Sequence, residues 1–139
     1  MNRSLEDARR TLEAQPFSKL LGADLVSYSP EEIELHVPLT DQLKQQHGFA
    51  HGGVVSYAAD NALTFAAGAV LGPAIVTSEY KINYVRPAIG ERLIARASVV
   101  YAGKTQAVCP CDLFAVSDGQ EVLCAVAQGT IAVLRSSIS

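Results

Sequence analysis

Residues 45–71 of this 139-residue chain read QQHGFAHGGVVSYAADNALTFAAGAVL, and the second half of that stretch decides the fold. Behind a loop carrying His47 and His51, and the pair Gly52-Gly53, come some eighteen residues that are almost all apolar or small. Length and composition predict a helix. A surface helix keeps one face polar, so a helix apolar on nearly every side must be wrapped by the rest of its domain. The exceptions are Ser56, Asp60, Thr64 and Gly68, which at i, i+4, i+8 and i+12 fall on one narrow stripe. Burying an unpaired carboxylate costs on the order of several kcal/mol, so Asp60 needs a partner, a wet cleft or a chemical role.

Downstream, Gly72-Pro73 closes the helix, and the pattern becomes strand over residues 75–85, 92–101, 105–116 and 121–134. Residues 102–104 and 117–120 read as hairpin turns, and Pro110 predicts an edge position or a bulge in its strand. Upstream, residues 23–28 and 32–37 read as two antiparallel strands about a turn at 29–31, with Ile33, Leu35 and Val37 alternating against Glu32, Glu34 and His36. Before them, Ser4 and Asp7 form a capping-box pattern for a first helix, Pro16 stops it, and residues 17–21 form a second turn under the sheet. The order predicts an α+β chain, one domain over 1–139 with a short N-terminal helical segment at 4–21. In it, a curved antiparallel sheet of about six strands wraps one long central helix.

Composition narrows the function. The chain is 49% hydrophobic and 18% charged, less than the usual charged share of about a quarter, which predicts that surface is removed by self-association. A net charge of -3 without a basic block gives no footprint for nucleic acid. The three cysteines, Cys109, Cys111 and Cys124, lack metal spacing and read as buried thiols, so no metal is expected. The N-terminal MNRSLEDARRTLEAQ has no apolar run like a signal peptide's, and the polar stripe argues against a membrane span, so the expected compartment is the cytoplasm.

The element order, together with H-G-G opening a long helix and an acid nine residues after the histidine (His51 to Asp60), resembles the hotdog-fold acyl-CoA thioesterases. The branch it is most similar to is the phenylacetic-acid-degradation and 4-hydroxybenzoyl-CoA thioesterase group. The resemblance runs from Phe17 to Leu134 and includes N-Y-V-R-P at Asn83 to Pro87. It implies an acyl-CoA thioesterase acting on an aryl or medium-chain acyl group, with no cofactor beyond the coenzyme A of the substrate. It implies Asp60 as nucleophile or as base for a water, Gly52 as the amide polarising the carbonyl, Gln45 as the loop amide and Thr64 as the hydroxyl one turn after the acid. Aspartate stands where part of the family has glutamate, and the shorter arm leaves room for an intervening water.

The residues themselves favour that chemistry. A thioester carbonyl gathers charge on oxygen as it is attacked, and free amides at a helix N-terminus, here those of Gly52 and Gly53, are pre-oriented donors for it. Gly52 and Asp60 stand eight residues apart on one helix, about 12 Å along its axis, so they cannot touch one carbonyl together. Two antiparallel helices about a two-fold axis would bring Asp60 of one chain to Gly52 of the other, which predicts a catalytic dimer and leaves a dimer of dimers open. Asp60 could instead pair with an arginine across that dimer. His51 reads either as a shaper of the loop or as a donor to the substrate pocket, and Asn61 either as a bond to a neighbouring strand or as pocket lining. Phe49, Tyr57 and Val54 are candidate pocket walls, Gly53 is a candidate substrate-binding amide, Asn83 belongs to the family segment, and Arg86 is the chosen contact for the anionic end of coenzyme A. A non-catalytic acyl-CoA binding module and a hotdog-fold dehydratase or hydratase are the alternatives.

Overall fold

The computed structural model describes residues 4–134. Helix α1 spans Leu5–Glu13, and its N-terminus is closed by a reciprocal capping box between Ser4 and Asp7. Ala8 and Leu12 pack inward, and Arg9 Nε donates to the carbonyl of Leu25 at 2.8 Å, tying the helix to the sheet. Pro16 does more than stop α1. It is the first residue of α2, Pro16–Leu21, where its missing N–H costs nothing and its fixed φ suits a helix start. Only Ser18 and Leu21 of α2 are buried, and Phe17 and Leu20 face outward, so the turn is only partly tucked in.

Strands β1 (Asp24–Tyr28) and β2 (Ile33–Pro38) form the first hairpin, and a single 3-10 turn at Asp41–Leu43 leads to the central helix α3, Gly52–Leu71. Strands β3 (Ile75–Tyr84), β4 (Arg92–Ala97), β5 (Tyr101–Ala102), β6 (Gln106–Ser117) and β7 (Gln120–Val133) complete an antiparallel sheet in the order β1-β2-β4-β6-β7-β3, with the two-residue β5 beside β6. The β6–β7 hairpin turns on Asp118 and Gly119, with φ of 51° and 77°, the two positive values of a type I′ turn.

Proline explains the difference from a six-strand reading. Pro110 lies in β6, an interior strand between β4 and β7, so it has a bulge but not an edge. Its carbonyl accepts from Ser98 N–H at 3.2 Å, and its nitrogen, on the same side of the strand, has no hydrogen to give. Opposite it, the four-residue step from Ala97 to Tyr101 faces the three-residue step from Cys111 to Val108. That one extra residue splits the expected 92–101 strand into β4 and β5.

The alanines of α3 let the sheet close on it. Ala58, Ala59, Ala62, Leu63, Ala66 and Ala67 are fully buried against inward side chains such as Leu35, Leu93 and Leu113. Among the described residues, α3 is the one helix long and apolar enough to cross a membrane, but most of it is buried inside the protein. Gly129 of β7 makes a second close approach possible. It lies opposite Tyr80, and a Cβ there would stand 2.6 Å from that of Tyr80 and 2.8 Å from the carbonyl of Glu79.

Candidate active site

The loop before α3 is held by its own backbone. Gln45 N–H donates to Phe49 O at 2.9 Å, His51 N–H to Leu43 O at 2.9 Å and Ala50 N–H to Ala88 O at 2.9 Å. Gln45 Oε1 accepts the amide of His47, whose ring stacks on Phe49 with centroids 6.0 Å apart. This leaves the amide end of Gln45 free to point elsewhere.

The first turn of α3 then accounts for its amides one by one. His51 is the N-cap, and its Nδ1 accepts from Gly53 N–H at 2.8 Å, which puts the ring hydrogen on Nε2. The amide of Val54 goes to His51 O at 3.0 Å. Among the described residues the N–H of Gly52 has no acceptor. Gly52 lines a cavity of about 370 Å3 together with Gln45, Phe49, Tyr84, Arg86 and Cys124, among others. Tyr84 Oη donates to the carbonyl of Gly52 at 3.1 Å and steadies that residue. Gly53 has its amide occupied, neither Gly53 nor His51 is among the residues lining the cavity, and the His51 ring caps the helix start.

Asp60 stands elsewhere. The whole polar stripe of α3 faces β3: Ser56 bonds to Tyr80, Asp60 and Thr64 meet Thr77, and Gly68 lies under Ile75. Thr77 Oγ1 donates to Asp60 Oδ1 at 2.7 Å. Thr64 lies within 2.8 Å of the backbone carbonyl of Asp60 and 3.1 Å of Thr77 Oγ1, so it reaches the carboxylate only through Thr77. Oδ2 of Asp60 keeps no partner among the described residues, and the side chain is half-buried. Among the described residues no basic side chain pairs with it.

Several expected pocket residues lie outside the Gly52 cavity. Tyr57 Oη donates to Ser18 Oγ at 2.5 Å, and Phe17 stands edge-on to its ring, so Tyr57 anchors α2. Burial raises its phenol pKa, against the lowering effect of bonds to Ser18 and Asn61. Asn61 donates to Tyr57 Oη at 2.9 Å and to Gln15 Oε1 at 3.2 Å, joining α3 to the N-terminal helices rather than to a strand. Asn83 borders a separate shallow cleft with Lys81 and Gln128. What the residue pattern did not single out is Thr77, Tyr84 and Cys124. Cys124 lines the cavity, but burial pushes its thiol up to about 11, so it stays protonated at neutral pH and is no rival nucleophile. Among the described residues no three His, Cys, Asp or Glu side chains gather as a metal site requires.

The profile of the thioesterase superfamily matches residues 47–122, the span that holds the Gly52 turn, Asp60 and the paired strands. The chain belongs to the thioesterase superfamily. It is a thioester hydrolase of the hotdog fold. The acyl-coenzyme A thioesterase PaaI of Escherichia coli K12 is 30% identical over 108 residues, 77% of this chain and 76% of that one. A protein from Deinococcus radiodurans is 33% identical over 96 residues, 68% of this chain, and the aligned part spans 64% of that relative's length. Among solved structures, a thioesterase family protein from Silicibacter pomeroyi superposes with a TM-score of 0.88 at 35% identity, covering 94% of this chain and 98% of that one. The Silicibacter pomeroyi protein shares the sheet-and-helix frame that in this chain holds the Gly52 turn and the Asp60 stripe apart on one helix.

Proposed function

We propose that the chain hydrolyses aryl- or medium-chain acyl-CoA to the free acid and coenzyme A, at a site shared between two copies. The observation that carries this reading is the unspent amide of Gly52. Among the described residues it is the one N–H of the first turn left without an acceptor, and Gly52 lines a cavity with Gln45 and Arg86. Such an amide, at the positive end of a twenty-residue helix, stabilises the oxyanion that forms when a thioester carbonyl is attacked. Arg86 at the same cavity suits the phosphates of the coenzyme A end.

The attacking group is Asp60 of the partner copy. Thr77 occupies Oδ1, so Oδ2 is the oxygen that reaches the carbonyl carbon or takes a proton from an intervening water. In the water route, hydroxide adds to the carbonyl carbon, the C–S bond breaks, and the thiolate takes the proton held on Asp60. In the covalent route, Oδ2 displaces the thiolate to form a mixed anhydride, which water then hydrolyses. The antiparallel helices that join the half-sites also cover the open edge at β3, where Val76 and Val85 are about half exposed.

The test is thiol release, followed with a thiol-reactive dye, from acetyl-, hexanoyl-, benzoyl-, dodecanoyl- and crotonyl-CoA. Turnover of hexanoyl- or benzoyl-CoA is the expected result. Binding without thiol release would make the protein a sensor, and loss of the enoyl absorbance of crotonyl-CoA without thiol release would make it a hydratase.

A further inference from the structure

A second cleft, of about 150 Å3, lies on the Asp60 side of α3, between that helix and the N-terminal α1 and α2. Its walls include Gln15, Asn61, Thr64, Phe65, Gly68 and Ile75. Thr64 and Asn61 flank the acid directly, and Thr64 is bonded to the Asp60 carbonyl and to the Thr77 that holds its carboxylate. The cleft therefore starts beside the attacking group, as the Gly52 cavity starts beside the oxyanion donor. A thioester carbon at Asp60 has two substituents. The sulfur side goes to the cavity that contains Arg86, which leaves this cleft for the acyl side.

From this we infer that the cleft between α1, α2 and α3 is the acyl-end site, built for a compact acyl group of about six carbons with a hydrogen-bonding group at its far end. The inference rests on the shared-site thioesterase reading above. Size sets the first limit: a cleft of about 150 Å3 covers one benzene-sized group, so the rest of a long acyl chain is left in solvent and gains nothing from it. Gly68 lines the cleft without a side chain to fill it, and Phe65 makes an edge contact with Tyr28 at 6.4 Å. Polarity sets the second. Gln15 Oε1 accepts from Ser18 Oγ at 2.6 Å and from Asn61, which fixes both amides, but Gln15 Nε2 and Asn61 Oδ1 have no partner among the described residues. Together with the hydroxyl-bearing Thr11 and Thr64, these two residues form the polar side of a cleft whose apolar side is Phe65, Pro73 and Ile75. A polar acyl terminus satisfies Gln15 Nε2 and Asn61 Oδ1, whereas an apolar one strips them of water without replacement.

The experiment measures kcat/KM of the full chain for acetyl-, hexanoyl-, 6-hydroxyhexanoyl- and palmitoyl-CoA, with Gly68→Ala and Gln15→Leu variants. A Cβ at Gly68 would meet Ile75 at 3.4 Å, ordinary contact, so the alanine variant folds while narrowing the cleft. The wild-type order expected is 6-hydroxyhexanoyl above hexanoyl, and both at least 10-fold above palmitoyl. Gly68→Ala lowers the hexanoyl-to-acetyl ratio by about 5-fold or more, and Gln15→Leu erases the preference for the hydroxyl. Palmitoyl as the best substrate, or a Gly68→Ala ratio equal to wild type with melting curves showing a folded protein, overturns the inference while leaving the thioesterase reading intact. No thiol release from any acyl-CoA overturns both.

Discussion

At the scale of single residues, the acid and its support separate cleanly into predictions. Asp60→Asn keeps the shape and removes the charge, so turnover should fall by about 100-fold or more while the circular dichroism spectrum and Tm stay as they were. Activity near wild type would make Asp60 structural. Thr77→Val removes the one hydroxyl that donates to the carboxylate, a bond to a charged group worth about 1.5 to 3 kcal/mol, so kcat should drop roughly 10-fold or more. Thr64→Ala should cost less, because Thr64 reaches the carboxylate only through Thr77. If Thr64→Ala instead proves the more damaging of the two, the order of that chain of bonds is wrong. Asp60, Gly52 and Gln45 could be put forward as candidates from the sequence because their spacing along the chain matches the family's pattern. Thr77 could not, and the reason is physical. Ser78 is an extra residue in β3, between Thr77 opposite Ile131 and Glu79 opposite Thr130. The bulge shifts the phase of the strand, so that Ile75 and Thr77 before it and Tyr80 and Ile82 after it all turn toward α3. Simple alternation does not reveal such a switch.

At the scale of elements, the outer face of the sheet carries a network that ties four strands together. Arg96 of β4 bonds Glu34 of β2 at 3.0 Å and forks onto both carboxylate oxygens of Glu121 of β7 at 2.7 and 2.8 Å, with its guanidinium 5.1 Å from the ring centre of Phe114 on β6. Burial on its own would raise the carboxyl pKa of Glu34, but hydrogen bonds from His36 and Arg96 outweigh it and hold it below the ordinary value. The bond from Arg96 likewise lowers Glu121. A carboxyl lowered by folding contributes stability that is present above its unfolded pKa and lost as pH falls through its folded one. Tm should therefore decline as pH drops below about 4.5, the ordinary glutamate value. Arg96→Met should lower Tm at pH 7 and flatten that acid decline, as measured by calorimetry from pH 7 to pH 3. An undiminished acid slope in the variant would place the linkage on other carboxylates. None of this network was legible beforehand, since it depends on which strands become neighbours, and β2 pairs with β4 across the whole of α3 and β3. The strands themselves were legible from alternation and turn residues. The split at β4 and β5 was not, because Pro110 announces a bulge without saying which neighbouring strand provides the extra residue.

At the scale of the whole molecule, one chain holds two half-sites that do not meet. Gly52 lines a cavity with Gln45 and Arg86, and Asp60 lies beside β3, the last strand of the sheet, about 12 Å farther along the same helix. A two-fold pairing predicts a specific result when two crippled forms are combined. Asp60→Ala and Gln45→Ala are prepared separately, and each homodimer is expected to be nearly inactive, since every site lacks either the attacking carboxylate or the loop amide beside Gly52. Dissociated, mixed and reassociated, they form mixed dimers in which one site carries both defects and the other carries neither. Activity should then return in proportion to the mixed dimers, whose abundance native mass spectrometry reports. If each site is instead built within a single chain, every site in the mixture carries one defect and nothing is regained. Absence of recovery, with mixed dimers present and each single variant shown to be severely impaired, would sink the shared site. Recovery without detectable mixed dimers would trace the activity to wild-type carry-over instead.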